Sequence, residues 1–152
     1  MTDGRRRDLW VLALAATVLR LPAILSSRHL SFDDGVYGVT AVAMRDGARP
    51  YRDVFSSQGP LHHPMLYVAD LLGLRTSVAP RLLSLVAGVA ITLCTYLAVR
   101  CVADRRAAVV AAALATSSGS ILGVTTGISG DGPAIALAIG AVAVALAART
   151  DP

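Results

Sequence analysis

Four long apolar segments constrain the fold of this 152-residue chain more than any other feature of its sequence. They predict membrane spans at about 9–25, 79–100, 106–126 and 132–149. A helix needs about 20 residues to cross the hydrocarbon core of a bilayer. Only helices satisfy their own backbone hydrogen bonds in lipid without closing a sheet. The sequence therefore predicts an all-α integral membrane protein with four transmembrane helices in a single membrane domain, residues 1–152.

A long segment, residues 26–78, separates the first two spans, and connections of this length usually carry a function of their own. The sequence predicts two short helices within it. One covers residues 35–45, and the other begins near Pro64 and runs to Leu74. Both are too short to cross a bilayer, which favours interfacial helices lying on the membrane surface.

The placement of arginine predicts the orientation of the chain in the membrane. All 14 basic residues are Arg, and seven of them flank one side of the predicted spans: Arg5, Arg6, Arg7, Arg100, Arg105, Arg106 and Arg149. Short flanking segments rich in Arg stay in the cytoplasm. We therefore expect cytoplasmic termini and an extracytoplasmic loop 26–78. Orientation explains these arginines better than binding to nucleic acid does, since they are scattered along span boundaries.

Residues 5–27 have a second interpretation as a cleaved signal peptide, but the stretch after Leu19 lacks a clear small-x-small cleavage site, which favours a retained span. Arg20 lies within this span. An ionisable residue there either contacts protein, water or a lipid phosphate, or it snorkels to the headgroups. None of the four spans contains an internal Asp or Glu, which argues against a proton-coupled transporter.

Polar and small residues mark the third predicted span. It carries Thr116, Ser117, Ser118 and Ser120 in its middle. Gly119, Gly123 and Gly127 follow at four-residue spacing. Small residues at this spacing predict close approach of neighbouring helix backbones.

Three carboxylates at the predicted outer boundary are the candidate chemical groups. Asp33 and Asp34 follow the first span, and Asp131 precedes the fourth. A carboxylate in a partly desolvated cavity can serve as a general base. Capping of helix N-termini is the alternative role for all three. Three roles are open for His62 and His63: a metal site, hydrogen bonding near the headgroups, and simple solvation.

The chain carries an ordered set of short motifs around this loop. They are Asp33-Asp34-Gly35-Val36-Tyr37, the stretch 44–53 with the sequence MRDGARPYRD, Gln58-Gly59-Pro60-Leu61 and Ala79-Pro80-Arg81-Leu82. In this order they resemble the N-terminal part of the GT-C type membrane glycosyltransferases, in particular the protein-mannosyltransferase and aminoarabinose-transferase branch. The resemblance covers only the opening four spans of these longer enzymes, so we expect the chain to be a fragment.

The resemblance implies transfer of a sugar from a polyprenyl-phosphate-linked donor to an acceptor at the outer face of a bacterial inner membrane. It assigns the catalytic base to Asp33, base support or divalent-cation binding to Asp34, and a second acidic site to Asp131. Arg81 lies in a matched motif and is expected to contact the lipid phosphate, with Arg20 as a second candidate. The expected substrate contacts are Tyr37, Tyr51 and Gln58. Gln58 stands where many relatives carry a phosphate-binding Lys.

Other roles stay open alongside this interpretation, and the sequence does not decide whether the chain is an enzyme on its own. The chain could be a non-catalytic membrane scaffold, or a subunit that pairs with a separate C-terminal part. It could also be an inactive truncated remnant. Interfacial anchoring explains the tyrosines of the loop as well as stacking on a sugar does.

Overall fold

A computed structural model describes residues 3–26, 32–55, 58–73 and 80–150 of the chain. Within these ranges the protein is all-helical. The helices are α1 (Asp3–Ser26), α2 (Phe32–Arg45), α3 (His62–Leu71), α4 (Arg81–Val102), α5 (Arg105–Ser117), α6 (Gly119–Val124) and α7 (Asp131–Thr150). Three of them, α1, α4 and α7, are long and apolar enough to cross a membrane. The chain is therefore a multi-pass membrane protein by length and composition of its helices.

The predicted third span, 106–126, is divided between α5 and α6. Ser118 separates the two helices, with φ −59° and ψ 125°. Just before the break, the Ser117 hydroxyl donates to the Ala113 carbonyl over 2.8 Å. Hydroxyl side chains offer the backbone alternatives to helical hydrogen bonding, which explains why the polar middle of this segment interrupts the helix. Neither piece is long enough to cross alone, so the described chain has three candidate spans where the sequence predicts four.

Helix α4 occupies the centre of the bundle, and α1, α5 and α7 all pack against it. Side-chain contacts fix the direction of α1. Asp8, near its beginning, bonds Tyr96 near the end of α4, whereas Arg20 lies against Gly88 in the first half of α4. α1 therefore runs antiparallel to α4.

An ion pair joins three helices at the end of the bundle where α1 begins. Arg105 of α5 donates to both carboxylate oxygens of Asp8, each over 2.7 Å, and the Tyr96 hydroxyl adds a third bond of 2.9 Å. A hydrophobic core lies beside this ion pair, formed by Leu12, Tyr96, Ala108 and Ala112. Bidentate arginine–carboxylate geometry is specific in direction, so it fixes how α1, α4 and α5 align.

A second hydrophobic core lies at the opposite end and holds the segment between α1 and α4. Tyr37 and Ala41 of α2 pack there with Leu66 of α3 and with Ile128, which precedes α7. Arg45 at the end of α2 pairs with Asp70 of α3 over 3.1 Å. The two helices of this segment, α2 and α3, are therefore packed against the bundle.

Arg20 is completely buried inside the bundle, so snorkelling to the headgroups is wrong. Its Nε donates to the Thr125 hydroxyl over 2.8 Å. Its Nη1 donates to the Ala16 carbonyl and to the Thr116 hydroxyl, over 2.9 and 3.0 Å. Two hydroxyl acceptors from the α5–α6 segment thus bind two nitrogens of an α1 arginine, while its Nη2 is buried without a partner among the described residues.

A glycine that the sequence did not single out makes room for Arg20. A Cβ atom on Gly88 would collide with Nε, Cδ and Cζ of the Arg20 side chain. At Gly119 and Gly123, by contrast, a Cβ atom would meet nothing within 4 Å. The predicted close helix contact at these two glycines is therefore wrong, and close approach occurs at Gly88 because a large buried side chain fills the space beside it.

We predict that Gly88→Ala lowers the free energy of unfolding by about 1–3 kcal/mol, because the new methyl group displaces Arg20 from its hydroxyl partners. Gly123→Ala is the matched control, and it should be neutral or slightly stabilising, since alanine favours helix over glycine. Unfolding of both variants in mixed detergent micelles measures the difference. Equal stability of the two variants would contradict the packing at Gly88.

Candidate functional site

The turn between α6 and α7 is held against the other helices by buried polar contacts. Asp34 of α2 forms an ion pair with Arg81 of α4, and both side chains are almost fully buried, at 1% and 3% exposure. The other Asp34 oxygen accepts a bond of 2.8 Å from the backbone N–H of Ile128. The Ser84 hydroxyl donates to the Gly127 carbonyl. These contacts bring the beginnings of α2, α4 and α7 together.

The two neighbouring acids of α2 have separate environments. Asp33 and Asp34 both lie in the first helical turn, where a carboxylate interacts favourably with the helix dipole. Successive helical residues point about 100° apart. Asp34 therefore faces the buried pair with Arg81, and Asp33 is exposed. Of these two acids, only Asp33 therefore has a carboxylate that solvent or a ligand can reach.

A cavity of about 260 Å³ lies between the beginning of α3 and the beginning of α7. Its polar lining comes from Gln58, His62 and Asp131, and its apolar lining includes Met65 and Leu137. This places two of the predicted site residues, Gln58 and Asp131, on one cavity. Asp33 is not among the residues that line it.

His62 connects the cavity to the predicted site residues around it. Only 6% of its surface is exposed, and its Nε2 is buried without a hydrogen-bond partner in the described part of the chain. Its ring meets the edge of Tyr37, with ring centroids 4.6 Å apart. Desolvation lowers the pKa of His62 from 6.5 to about 4, with a smaller contribution from His63, while the charges of Asp131 and Asp33 oppose the change. His62 is therefore neutral near pH 7.

His63 lies beside His62, and Tyr51 stacks on the ring of His63. Their rings stack 5.2 Å apart, and His63 is completely buried. Burial lowers the pKa of His63 below its ordinary value. Tyr51 adopts a left-handed backbone with φ 64°, and its hydroxyl donates to the Gly59 carbonyl over 2.9 Å. Solvation of the two histidines, one of the alternatives from sequence, is wrong because both rings are buried.

Gly130 permits the close approach of the cavity residues to the α6–α7 turn. A Cβ atom at this position would lie 2.6 Å from Oε1 of Gln58 and 3.2 Å from Nδ1 of His62. A larger residue would therefore push both side chains away from Asp131. The absent side chain of a glycine thus shapes the polar end of the cavity.

The predicted site residues fall into three places. Tyr37 and Tyr51 contact the histidine rings, Gln58 and Asp131 line the cavity beside His62, and Asp33 is exposed outside that lining. Asp34 and Arg81 pair with each other, and Arg20 lies inside the bundle. The position of His62 between these residues could not be predicted from the sequence, because its neighbours come from α2 and from the beginning of α7. No group of three or more His, Cys, Asp or Glu side chains in the described ranges could hold a metal ion, and the divalent cation stays a prediction.

Comparison with known proteins yields no match: no protein family, no curated protein and no solved structure is similar to the chain.

We predict a strong energetic coupling between Asp34 and Arg81. Asp34→Asn or Arg81→Met alone should lower the unfolding free energy by about 3 kcal/mol, because each leaves a buried group without its charged partner. The double variant should recover about 2 kcal/mol of the summed loss, because neither buried charge is then left without its partner. Unfolding of the three variants in detergent completes the double-mutant cycle.

The exposed pair of Arg49 and Asp53, four residues apart at 3.2 Å, is the matched control for this cycle. Its coupling should not exceed about 0.5 kcal/mol. A coupling between Asp34 and Arg81 as small as the control value would contradict the buried pair.

Proposed function

We propose that the chain is the N-terminal part of a glycosyltransferase that takes its sugar from a polyprenyl-phosphate-linked donor. The observation that carries the proposal is the cavity at one end of the bundle, which Asp131, Gln58 and His62 line, with the exposed carboxylate of Asp33 on the neighbouring helix α2. The ordered motifs of the loop, which resemble the GT-C enzymes, supply the reaction class. Carboxylates beside a cavity at a membrane boundary suit transfer from a lipid-borne substrate.

In the proposed topology the chain crosses the membrane four times, with α5 and α6 together making the third crossing. Residues 105–124, which are α5, Ser118 and α6, would span about 30 Å at the helical rise, and this length matches the hydrocarbon core. Both termini lie in the cytoplasm of a bacterial cell, and the cavity opens on the outer side of the inner membrane. The positive-inside rule supports this orientation.

Asp33 is the proposed catalytic base. As the acceptor oxygen attacks C1 of the sugar, its proton passes to the Asp33 carboxylate. The bond between C1 and the phosphate oxygen breaks, and its electron pair leaves with the polyprenyl phosphate. A single displacement of this kind inverts the configuration at C1 and needs no covalent intermediate on the protein.

The cavity residues are proposed to hold hydroxyl groups of the substrate. Asp131 and Gln58 offer oxygen acceptors, and the neutral imidazole of His62 offers a nitrogen that no described residue uses. Tyr37 holds the His62 ring in place through its edge contact. Uncharged, hydroxyl-rich groups suit such a lining, because each of these side chains can exchange hydrogen bonds with a sugar hydroxyl.

The proposed phosphate contact is less direct. Arg81 is paired with Asp34, and Arg20 is bonded to threonines inside the bundle. Either guanidinium would have to exchange its protein partner to reach a lipid phosphate. We therefore expect a later part of the longer enzyme to supply at least one phosphate contact.

We predict that Asp33→Asn lowers sugar transfer by about 10²–10⁴-fold in the full-length enzyme or in the chain reassembled with its missing part, with expression unchanged. The loss arises because asparagine cannot accept the acceptor's proton. Release of labelled sugar from a polyprenyl-phosphate donor measures transfer.

Asp46→Asn is the matched control, since Asp46 is an exposed acid of the same segment, with a side chain 71% exposed. It should leave transfer unchanged. Near-normal transfer by the Asp33 variant would remove Asp33 from the role of base. Absence of transfer in every reassembled wild-type preparation would instead favour a scaffold or a remnant.

A further inference from the structure

A second cavity lies at the other end of the bundle, on the surface between α1 and α4. Its volume is about 250 Å³, and its lining consists of Arg6, Leu9, Trp10, Ala13 and Leu93. Four of these five residues come from α1 at positions spaced three, four and seven residues apart, which places them on one face of the helix. We call this cavity the Arg6 groove.

The Arg6 groove combines a cationic end with an apolar floor. Arg6 is exposed, and no ion pair of the described chain involves it. The nearest carboxylate along α1, Asp8, is already bonded twice by Arg105 and so offsets little of the surrounding positive charge. Arg5 and Arg7 add to this charge. The groove therefore attracts an anion at one end and apolar groups along the rest.

The Arg6 groove is long enough to reach from the headgroup layer of a membrane into its hydrocarbon. From Arg6 to Ala13 the helix rises about 10 Å, which is enough to pass from the headgroup layer into the hydrocarbon. Trp10 lies between these two residues and is 73% exposed. Tryptophan prefers this interfacial depth, because its ring is apolar and its N–H is polar.

We propose that the Arg6 groove binds an anionic phospholipid of the inner leaflet. The guanidinium of Arg6 contacts the lipid phosphate, and the acyl chain lies along Leu9, Ala13 and Leu93. Trp10 covers the glycerol region. This site is separate from the cavity at Asp131, and it does not depend on the proposed transferase activity. Charge complementarity and the position of the sole tryptophan favour a lipid over a protein partner.

Trp10 is the only tryptophan of the chain, so its fluorescence reports on the groove directly. The full chain is reconstituted in phosphatidylcholine vesicles that contain equal fractions of either brominated phosphatidylglycerol or brominated phosphatidylcholine. Bromine quenches tryptophan on contact. The association constant obtained from quenching should be about fivefold higher for the brominated phosphatidylglycerol, the effect expected of one arginine at a membrane surface.

Arg6→Gln should abolish this preference, and Arg6→Lys should retain it. Arg5→Gln is the matched control, because it removes the same charge from the neighbouring residue, which does not line the groove. It should keep most of the preference. Circular dichroism checks that each variant keeps the wild-type helix content.

Three results would contradict the proposed lipid-binding site. Equal quenching of wild-type Trp10 by the two lipids would show no preference for an anionic headgroup. Equal losses in Arg5→Gln and Arg6→Gln would show diffuse attraction to a basic surface. Loss of the preference in excess inorganic phosphate would show a site for free anions rather than for a lipid. A preference that depends on Arg6 alone and survives inorganic phosphate supports the proposal.

Discussion

The buried ion pair between Asp34 and Arg81 is the contact on which the end of the bundle that carries α2 depends. Desolvation makes such a pair costly unless its remaining hydrogen bonds are satisfied; Asp34 also accepts from the backbone N–H of Ile128, whereas Nε of Arg81 has no partner among the described residues. One carboxylate thereby joins α2 to α4 and to the turn before α7. Without it, α2 would depend more heavily on the small core around Tyr37 for its position against the bundle.

The membrane imposes the second constraint, because polar groups within a bundle must find partners in the protein. Arg20 meets this requirement in part, through Thr116 and Thr125 in the α5–α6 segment, and Gly88 provides the space. The break at Ser118 lies two residues after Thr116. The hydroxyls that interrupt this segment and the hydroxyls that satisfy Arg20 therefore belong to the same polar stretch, which links an irregular helix to a buried charge.

The sequence was informative wherever structure follows from local composition. Apolar length alone predicts α1, α4 and α7, because transfer into lipid depends on each segment's own residues. The buried state of Arg20 could not be predicted, since Arg20 and Thr125 are 105 residues apart. Asp33, Asp131 and Gln58 were candidates from sequence. The central position of His62 could not be predicted, because it arises only when α2 and the start of α7 meet beside α3.

The central claim is that Asp33 and Asp131 are presented together on the outer side, opposite the arginine-rich end. Single cysteines at 33, 131 and 106, in a chain whose Cys94 and Cys101 are replaced by alanine, test it with a membrane-impermeant thiol reagent on intact cells. All three positions have exposed side chains. The account predicts labelling at 33 and 131 in intact cells, and at 106 only after permeabilisation. Labelling of 33 and 131 from opposite sides, or of both only from the cytoplasm, would contradict it.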